Sequence, residues 1–399
     1  MKPTIFVLDG GFLGLEMARE LCQTGYRVVV VGHSKQDIAI YAKDVRGIVL
    51  PLPQDDSDAL MAGLFKAAGD IPGEKVIIGA GEWYRKWISR YRDELSKRFK
   101  MLTCPVEEID ALLDKWNQAQ MASCAGLDAP KTAIVCDDLE LSRKLNYPLV
   151  VKPRFSHKTI KFRSMMGSKV IVAKNRIELK TAIAKVTQWG FQPLIQEIVP
   201  GVDYNQFLFG ATVKGGKPYA VCLAQKIKAD PWPFGSGVII RTIRHDDLFK
   251  AGCRLLKESN YSGICDIEFM WNWDTGEFDF IEFNPRYGLG QRVSQMAGAG
   301  LADMAVKLAM GQVPDSQVIA RPGFFWVYFD EWAKEKAWPW RNMYLRQLRN
   351  SSNTAKIFDI GDCRPELHHI KNLLAYKFKR ILRTSVLLLA GLLSLWRDI

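Results

Sequence analysis

The sequence predicts a mixed protein of α/β and α+β layers, and three features carry that prediction. A strand–glycine turn–helix–strand unit opens the chain, an apolar strand ending in lysine stands in its middle, and an acid-bearing hairpin closes its last long run of strands. The first feature implies a parallel sheet, because a crossover helix must return the chain between parallel neighbours. The last implies an antiparallel pair whose acids can share one face.

In order along the chain, residues 4–8 form a short apolar strand, and Asp9-Gly10-Gly11-Phe12-Leu13-Gly14 turns it into a helix over about 15–22. Residues 27–32 form a buried second strand. A dinucleotide site is the tempting reading of this unit. However, Asp9 holds the first glycine position of that fingerprint, and Gly32-His33-Ser34 offers no acid for a ribose. The better reading is a bare Rossmann-like half, with a further strand at 75–79 and a helix over 82–99. A second helix spans 106–125 and ends on Gly126 as its C-cap. Next come a strand at 149–153, a loop over 154–168 with five basic side chains and no acid, a strand at 169–172, a helix at 178–188 and a strand at 193–198. Long antiparallel strands follow at 205–212, 219–226 and 237–243, then a helix at 247–259. The closing hairpin pairs 264–270 with 278–283 around Asp274-Thr275-Gly276.

Composition narrows the class. With 48% hydrophobic and 25% charged residues, the chain reads as globular, which excludes disorder, collagen and repeat arrays. Its eight cysteines contain no CxxC pair, so neither a disulfide framework nor a zinc site is expected. The apolar start breaks at Asp9, so no secretory leader is expected, and the chain reads as cytoplasmic. The net charge of +12 is uneven: residues 321–399 hold 14 Lys/Arg against 7 Asp/Glu. Such an excess attracts anionic lipid, nucleic acid or phosphorylated substrates, without choosing among them.

The chemistry concentrates in the last hairpin. Glu268 and Glu282 sit on paired strands where both carboxylates can face one spot, and Asn284 lies two residues on, on the same face. Acids embedded in apolar strands are costly unless a cation compensates them. Two carboxylates and an amide are oxygen ligands of the kind Mg²⁺ takes when phosphates hold it too. The bland alternative is a solvated acidic hairpin.

Taken together, Asp114-Lys115-Trp116, Pro148-Leu149-Val150-Val151-Lys152-Pro153-Arg154, Gln196 to Asp203 and Ile281-Glu282-Phe283-Asn284-Pro285-Arg286, in that order, resemble the ATP-grasp superfamily over roughly residues 1–314. Gly81-Glu82-Trp83-Tyr84, Arg90 to Leu95 and Gln225 to Gly237 look closest to the carbamoyl-phosphate-synthase-like and D-aspartate-ligase-like branch. The resemblance implies a pre-ATP-grasp Rossmann-like domain over 1–112, an ATP-grasp domain of two subdomains over 113–314, and a C-terminal extension over 315–399. It also implies that Lys115 and Lys152 contact ATP phosphates, that Glu197, Ile198 and Val199 hold the adenine, and that Asp203 takes the ribose hydroxyls. Glu268, Glu282 and Asn284 would hold one or two Mg²⁺ ions, with Mn²⁺ as a substitute. Arg286 would stabilise the charge of transfer, and Lys226 and Arg241 would meet the carboxylate substrate. The implied activity is an ATP-dependent ligase that joins a small-molecule carboxylate to an amine through an acyl phosphate, with a cell-envelope precursor as acceptor. The alternatives are another ATP-grasp reaction (carboxylase or carboxylate kinase) and a non-catalytic nucleotide-binding scaffold.

The tail departs from that pattern. Lys371, Lys377, Lys379, Arg380 and Arg383 precede an uncharged run from 384 to 396 that is too short to span a bilayer, which needs about 20 residues. Basic residues ahead of an apolar, tryptophan-ended run suit an interfacial helix on an anionic membrane, to which Trp332, Trp338 and Trp340 would add. Docking on the protein's own body or on a second copy in a homodimer is the alternative. Nucleic acid is not expected.

Overall fold

The computed structural model describes residues 2–135, 144–201, 203–230 and 233–328, together with 354–356, 362–365 and 367–372. The chain starts with a parallel sheet of β1 (Thr4–Leu8), β2 (Arg27–Gly32), β3 (Val45–Val49) and β4 (Lys75–Gly79), in the order β3-β2-β1-β4. Every residue of β1 is buried, so after Thr4 the strand is a continuous apolar run rather than alternating. α1 (Phe12–Gln23) packs on one face of the sheet, and α2 (Ser57–Gly69) and α3 (Glu82–Arg90) on the other. The helix expected over 82–99 breaks at Tyr91 (φ −103°, ψ 24°), which separates α3 from the short α4 (Arg92–Leu95).

The helix expected over 106–125 is two helices, α5 (Val106–Leu113) and α6 (Lys115–Cys124). Asp114 between them is extended (φ −94°, ψ 109°), and its Oδ1 accepts from Trp116 N at 3.0 Å, capping α6. An apolar periodicity runs through such a break unnoticed, because the N-cap only restarts the helix.

A small antiparallel sheet follows. It holds β5 (Thr132–Ile134), β6 (Leu149–Pro153), β7 (Ile171–Ala173) and β8 (Pro193–Glu197), in the order β5-β8-β6-β7. The loop expected over 154–168 is helical instead: a 3₁₀ turn (Ser156–Lys158) leads into α7 (Thr159–Met166), which ends on Gly167 in the left-handed region (φ 75°). Phe162 anchors α7 in the core that α8 (Arg176–Gln188) makes with Leu149 and Val151. The opposite side of β6 and β8, with Val150, Lys152 and Gln196, is left to face a cleft.

The platform under that cleft is a larger sheet with a path β13-β12-β9-β10-β11-β15-β16 and β14 beside β10. Its long strands are β9 (Gln206–Lys214), β10 (Lys217–Asp230), β11 (Ser236–Thr242), β12 (Gly263–Asn272) and β13 (Glu277–Asn284). Alternation sorts its two faces. Phe207, Phe209, Leu223, Ile267, Phe269 and Phe283 pack under α9 (Asp246–Ser259), while on the other face Gln206, Glu268, Met270 and Glu282 line the cleft and Leu208, Cys222 and Ala224 join a separate apolar cluster. After β13, α10 (Val293–Met296) and α11 (Leu301–Ala309) close the body, and β14 (Val318–Ile319), β15 (Phe325–Val327) and β16 (Thr354–Lys356) extend the sheet.

Two buried polar residues tie the opening sheet to the platform. The Arg85 guanidinium donates to Leu102 O (3.0 Å), Tyr261 Oη (3.1 Å) and Ser262 O (3.0 Å). Glu20 accepts from Ala302 N (2.7 Å) and Tyr287 Oη (2.8 Å), so α1 caps the first turn of α11. From the tail, Asp362 pairs with Arg19 (3.3 Å) and the His368 ring lies 4.1 Å from that of Tyr41. Those tail residues therefore sit on the opening domain. Among the described residues no helix is long and apolar enough to cross a membrane. The apolar run over 384–396 and Trp332, Trp338 and Trp340 lie outside the described residues.

Candidate active site

The cleft between the small sheet and the platform holds a cavity of about 120 Å³ and opens to solvent at its mouth. Its floor is built by strand register. Glu268 pairs directly with Glu282 across β12 and β13, and Asp266 with Asn284, so all four side chains share one face. A bulge follows, because Phe269 pairs with Phe280 and skips Ile281. Both Ile281 and Glu282 consequently line the cleft while Phe280 stays in the core, which strict alternation would not allow.

Each floor carboxylate meets a lysine. Lys226 Nζ donates to Glu268 Oε2 at 2.7 Å and to Gln206 Oε1 at 2.9 Å. Lys115, the first residue of α6, lies 3.1 Å from Glu282 Oε1 and donates to Ser156 Oγ at 3.1 Å and Thr159 Oγ1 at 3.2 Å. Burial pushes both carboxyls up, but the ammonium groups around them outweigh it. Glu282, facing Lys115, Lys152 and Lys169, is held at about 2. Glu268 is likewise held below its usual range by Lys226 and Lys169.

The roof differs. Lys152 on β6 donates to the neutral Gln196 Oε1 at 2.7 Å, and Lys169 lines the same wall. Burial, with Lys115 nearby, lowers Lys152 to about 8; burial also lowers Lys169 to about 8. These are cationic groups whose charge is incompletely compensated by the protein.

Beyond the β6–β8 ladder, which ends at the Leu149–Glu197 pair, Ile198 and Val199 continue along the cleft wall. The Glu197 carboxylate is engaged elsewhere, accepting from Asn146 N at 2.8 Å. Asp203 opens a 3₁₀ turn, and its side chain lies outside the described set. Arg286 reaches Glu82 Oε1 (3.3 Å) and Asn284 Oδ1 (3.3 Å), which sets it between the floor and the opening domain. Arg241 is not brought to this cluster. Its register with Gln225 turns it away from the face of Lys226, and its Nη2 donates to Gln225 Oε1 at 3.0 Å.

The expected residues Lys115, Lys152, Lys226, Glu268 and Glu282 thus converge, with Glu197, Ile198 and Val199 along the wall and Asn284 and Arg286 beside the floor. Sequence reasoning missed Lys169 and Gln206, single polar residues with no pattern of their own, and gave no role to Gln196 although it opens the motif over 196–203. It also missed the Asp114–Arg154 clamp (Nη2 to Oδ2, 2.6 Å), although an aspartate directly before a helical lysine is a readable N-cap signal.

The floor suits a hard divalent cation. Glu268 Oε1 and Glu282 Oε2 have no hydrogen-bond partner among the described residues, and the Asn284 amide completes an oxygen donor set. Asp266, raised to about 6 by burial with Glu268 close by, is turned instead to Gln291 Nε2 (3.3 Å). Among the described residues no three His, Cys, Asp or Glu converge, so the third oxygen would be the amide's.

Comparison with known proteins agrees with this geometry. Residues 238–316 match the family model described as carbamoyl-phosphate synthase L chain, ATP binding domain. The D-aspartate ligase of Enterococcus faecium is 23% identical over 241 residues, 57% of this chain and 56% of that protein. The carbamoyl phosphate synthase large chain of Methanothermobacter thermautotrophicus is 25% identical over 217 residues, 52% of this chain and 19% of that one. The chain thus spans little more than half of the first relative and about a fifth of the second. Among solved structures, the L-amino acid ligase from Bacillus licheniformis superposes with a TM-score of 0.60 at 18% identity, covering 77% of this chain and 74% of that one. The biotin carboxylase from Campylobacter jejuni gives 0.61 at 17% identity, covering 80% and 74%. An opening parallel sheet, a small antiparallel sheet and a carboxylate-bearing platform around one cleft are the ATP-grasp fold, and this chain has that fold.

Proposed function

We propose that the protein is an ATP-dependent carboxylate–amine ligase whose carboxylate substrate is an amino acid. The observation that carries this reading is the cleft itself: incompletely compensated lysines on the roof above paired carboxylates on the floor. Lys115 and Lys152 would neutralise ATP phosphates as point charges. Backbone groups of Glu197, Ile198 and Val199 would hold the adenine, and Asp203 the ribose. Glu268, Glu282 and Asn284 would hold Mg²⁺, which when bound supplies charge neutralisation between phosphate oxygens. Arg286 stands where negative charge develops during transfer. Lys226, bound to Glu268, serves as that carboxylate's counter-ion.

In this reading the γ-phosphoryl group passes to a carboxylate oxygen, giving ADP and an acyl phosphate. The amine then attacks the carbonyl carbon, phosphate departs, and the amine loses a proton as the amide forms. The protein's contribution is positioning and charge, since phosphoryl transfer asks for little covalent help. The two amino-acid ligases among the comparisons support an amino-acid substrate. A cell-envelope acceptor remains part of the proposal, as does a membrane-bound tail.

The test incubates the protein with Mg-ATP, hydroxylamine and a panel of D- and L-amino acids. Hydroxamate and ADP with one amino acid, absent in Glu282→Ala, are expected. ADP release driven by bicarbonate alone would replace this reading with a carboxylase. Nucleotide binding without turnover on any carboxylate would leave a scaffold.

A further inference from the structure

Each floor carboxylate carries an ammonium group, and the two ammonium groups are held differently. Lys226 stays within the platform, reaching Glu268 Oε2 (2.7 Å) and Gln206 Oε1 (2.9 Å) on strands of its own sheet. Lys115 comes from α6 and bridges floor to roof. Its Nζ lies 3.1 Å from Glu282 Oε1 on the floor, and it donates to Ser156 Oγ (3.1 Å) and Thr159 Oγ1 (3.2 Å) on the roof. An ammonium has three N–H donors, so these three oxygens occupy them all. Lys152 is less engaged: among the described residues the Gln196 amide takes one donor and leaves two.

That saturation conflicts with both ligands the cleft suits. A phosphate oxygen can take an N–H from Lys115 only when one of the three present acceptors gives it up. A divalent cation on Glu282 Oε2 would share one carboxylate with an ammonium of the same sign, and such close charges repel strongly in a partly buried site. Withdrawing Lys115 by itself is no answer, because it strips Glu282 of its nearest counter-charge. Made together, the two changes cancel. Phosphate accepts the N–H that Glu282 releases, Ser156 and Thr159 keep the other two, and the cation takes over as counter-charge to Glu282. Lys226 has no roof partner among the described residues, so the exchange concerns one floor lysine only.

We propose that Lys115 is an exchangeable counter-ion that makes the cation site of the floor conditional on nucleotide: it holds Glu282 until phosphate takes it, and a divalent ion binds Glu282 only then. This rests on the ATP-dependent reading and adds an order to it, with nucleotide ahead of the metal or together with it and never after it. Coupling between two ligands is reciprocal, so the same exchange makes the divalent ion tighten nucleotide binding.

The experiment titrates Mn²⁺ into the full chain by calorimetry, with and without saturating ADP, for wild type and Lys115→Met, which keeps the length of the side chain and removes its charge. ADP phosphates ligate Mn²⁺ in either protein, so the comparison between proteins reads the exchange. Without ADP, Lys115→Met should bind Mn²⁺ about 10-fold or more tighter than wild type, the range of one hydrogen bond to a charged group. With ADP the two should agree within about 3-fold, because the wild-type ammonium has already left Glu282. Melting curves give a second readout: Mn²⁺ alone should raise the melting temperature of Lys115→Met and leave wild type unmoved. Lys115→Gln, a neutral side chain that still donates to the roof hydroxyls, should behave like Lys115→Met and serves if that variant does not fold. Wild type that binds Mn²⁺ as tightly without ADP as with it overturns the proposal, and so does a variant effect of equal size in both conditions; either leaves the ATP-dependent reading standing. Failure of wild type to bind ADP, with or without Mn²⁺, removes that reading and this proposal with it.

Discussion

The roof and the floor of the cleft are both lined with lysine, yet their lysines differ. On the floor Lys226 sits 2.7 Å from Glu268, and from α6 Lys115 sits 3.1 Å from Glu282. On the roof Lys152 donates, among the described residues, to the Gln196 amide alone, and both it and Lys169 are lowered to about 8. Burial is the larger influence on both, and the charges of Glu282 and Glu268 across the cleft offset it only in part. Paired lysines organise the floor, whereas under-compensated ones store unfavourable charge that an anion relieves. On the proposed reading, the roof is the part of the site that would meet phosphate, and the floor the part that would meet a cation.

Four experiments would break or sharpen that contrast. Glu282→Ala should have the largest effect: it strips the floor of a donor and frees Lys115, and ADP formation should fall by about 10²-fold to 10³-fold. Next, the two kinds of lysine should fail differently. Lys226→Ala leaves Glu268 buried and unpaired and should lower thermal stability by about 3 kcal/mol or more. Lys152→Ala should instead weaken ADP binding by about 10-fold or more while the melting temperature holds or rises. Calorimetry of ADP binding beside a melting curve separates the two, and identical behaviour would erase the distinction.

The third experiment is pH. Free Lys152 and Lys169 lose their charge near pH 8, and phosphate prefers the charged form. ADP affinity should therefore fall above pH 8, by up to about 10-fold per unit for each lysine. Folding responds in the opposite sense. Both lysines have an ordinary value of 10.5, so between pH 8 and that value the unfolded chain binds more protons. The contribution of the pair to stability rises with pH across that window. Smallest of all, Arg241→Ala should change ADP formation by less than about 2-fold, because Gln225 is its partner on the other face.

Much of this site was legible in the sequence because its chemistry breaks an apolar pattern. Glu268, Glu282 and Lys152 interrupt strands that otherwise read as core, and interruption is visible without a structure. Register then turns two separate acids into one facing pair, and strand alternation was enough to foresee it. What was not legible lies where the pattern is thin. α7 buries only Phe162, so eight helical residues showed no period and read as a loop. The bulge at Ile281 and the break at Asp114 each shift one residue, which no apolar spacing records. Arg241 misled for the opposite reason: a basic residue on a long strand says nothing of which face it takes until the partner strand is known.

The break at Asp114 does more than end a helix. The Arg154 guanidinium grips the Asp114 carboxylate with Nε at 2.9 Å and Nη2 at 2.6 Å, Lys115 N donates to Arg154 O at 3.0 Å, and Phe155 bridges to Asp114 in strand fashion. Arg154 follows β6 directly, so the roof and the first turn of α6 are fastened at one point. Any tilt of the small sheet must then drag Asp114 along and swing the Lys115 ammonium across the floor. A movement of the roof relative to the floor would therefore pivot at this clamp and carry Lys115 with it.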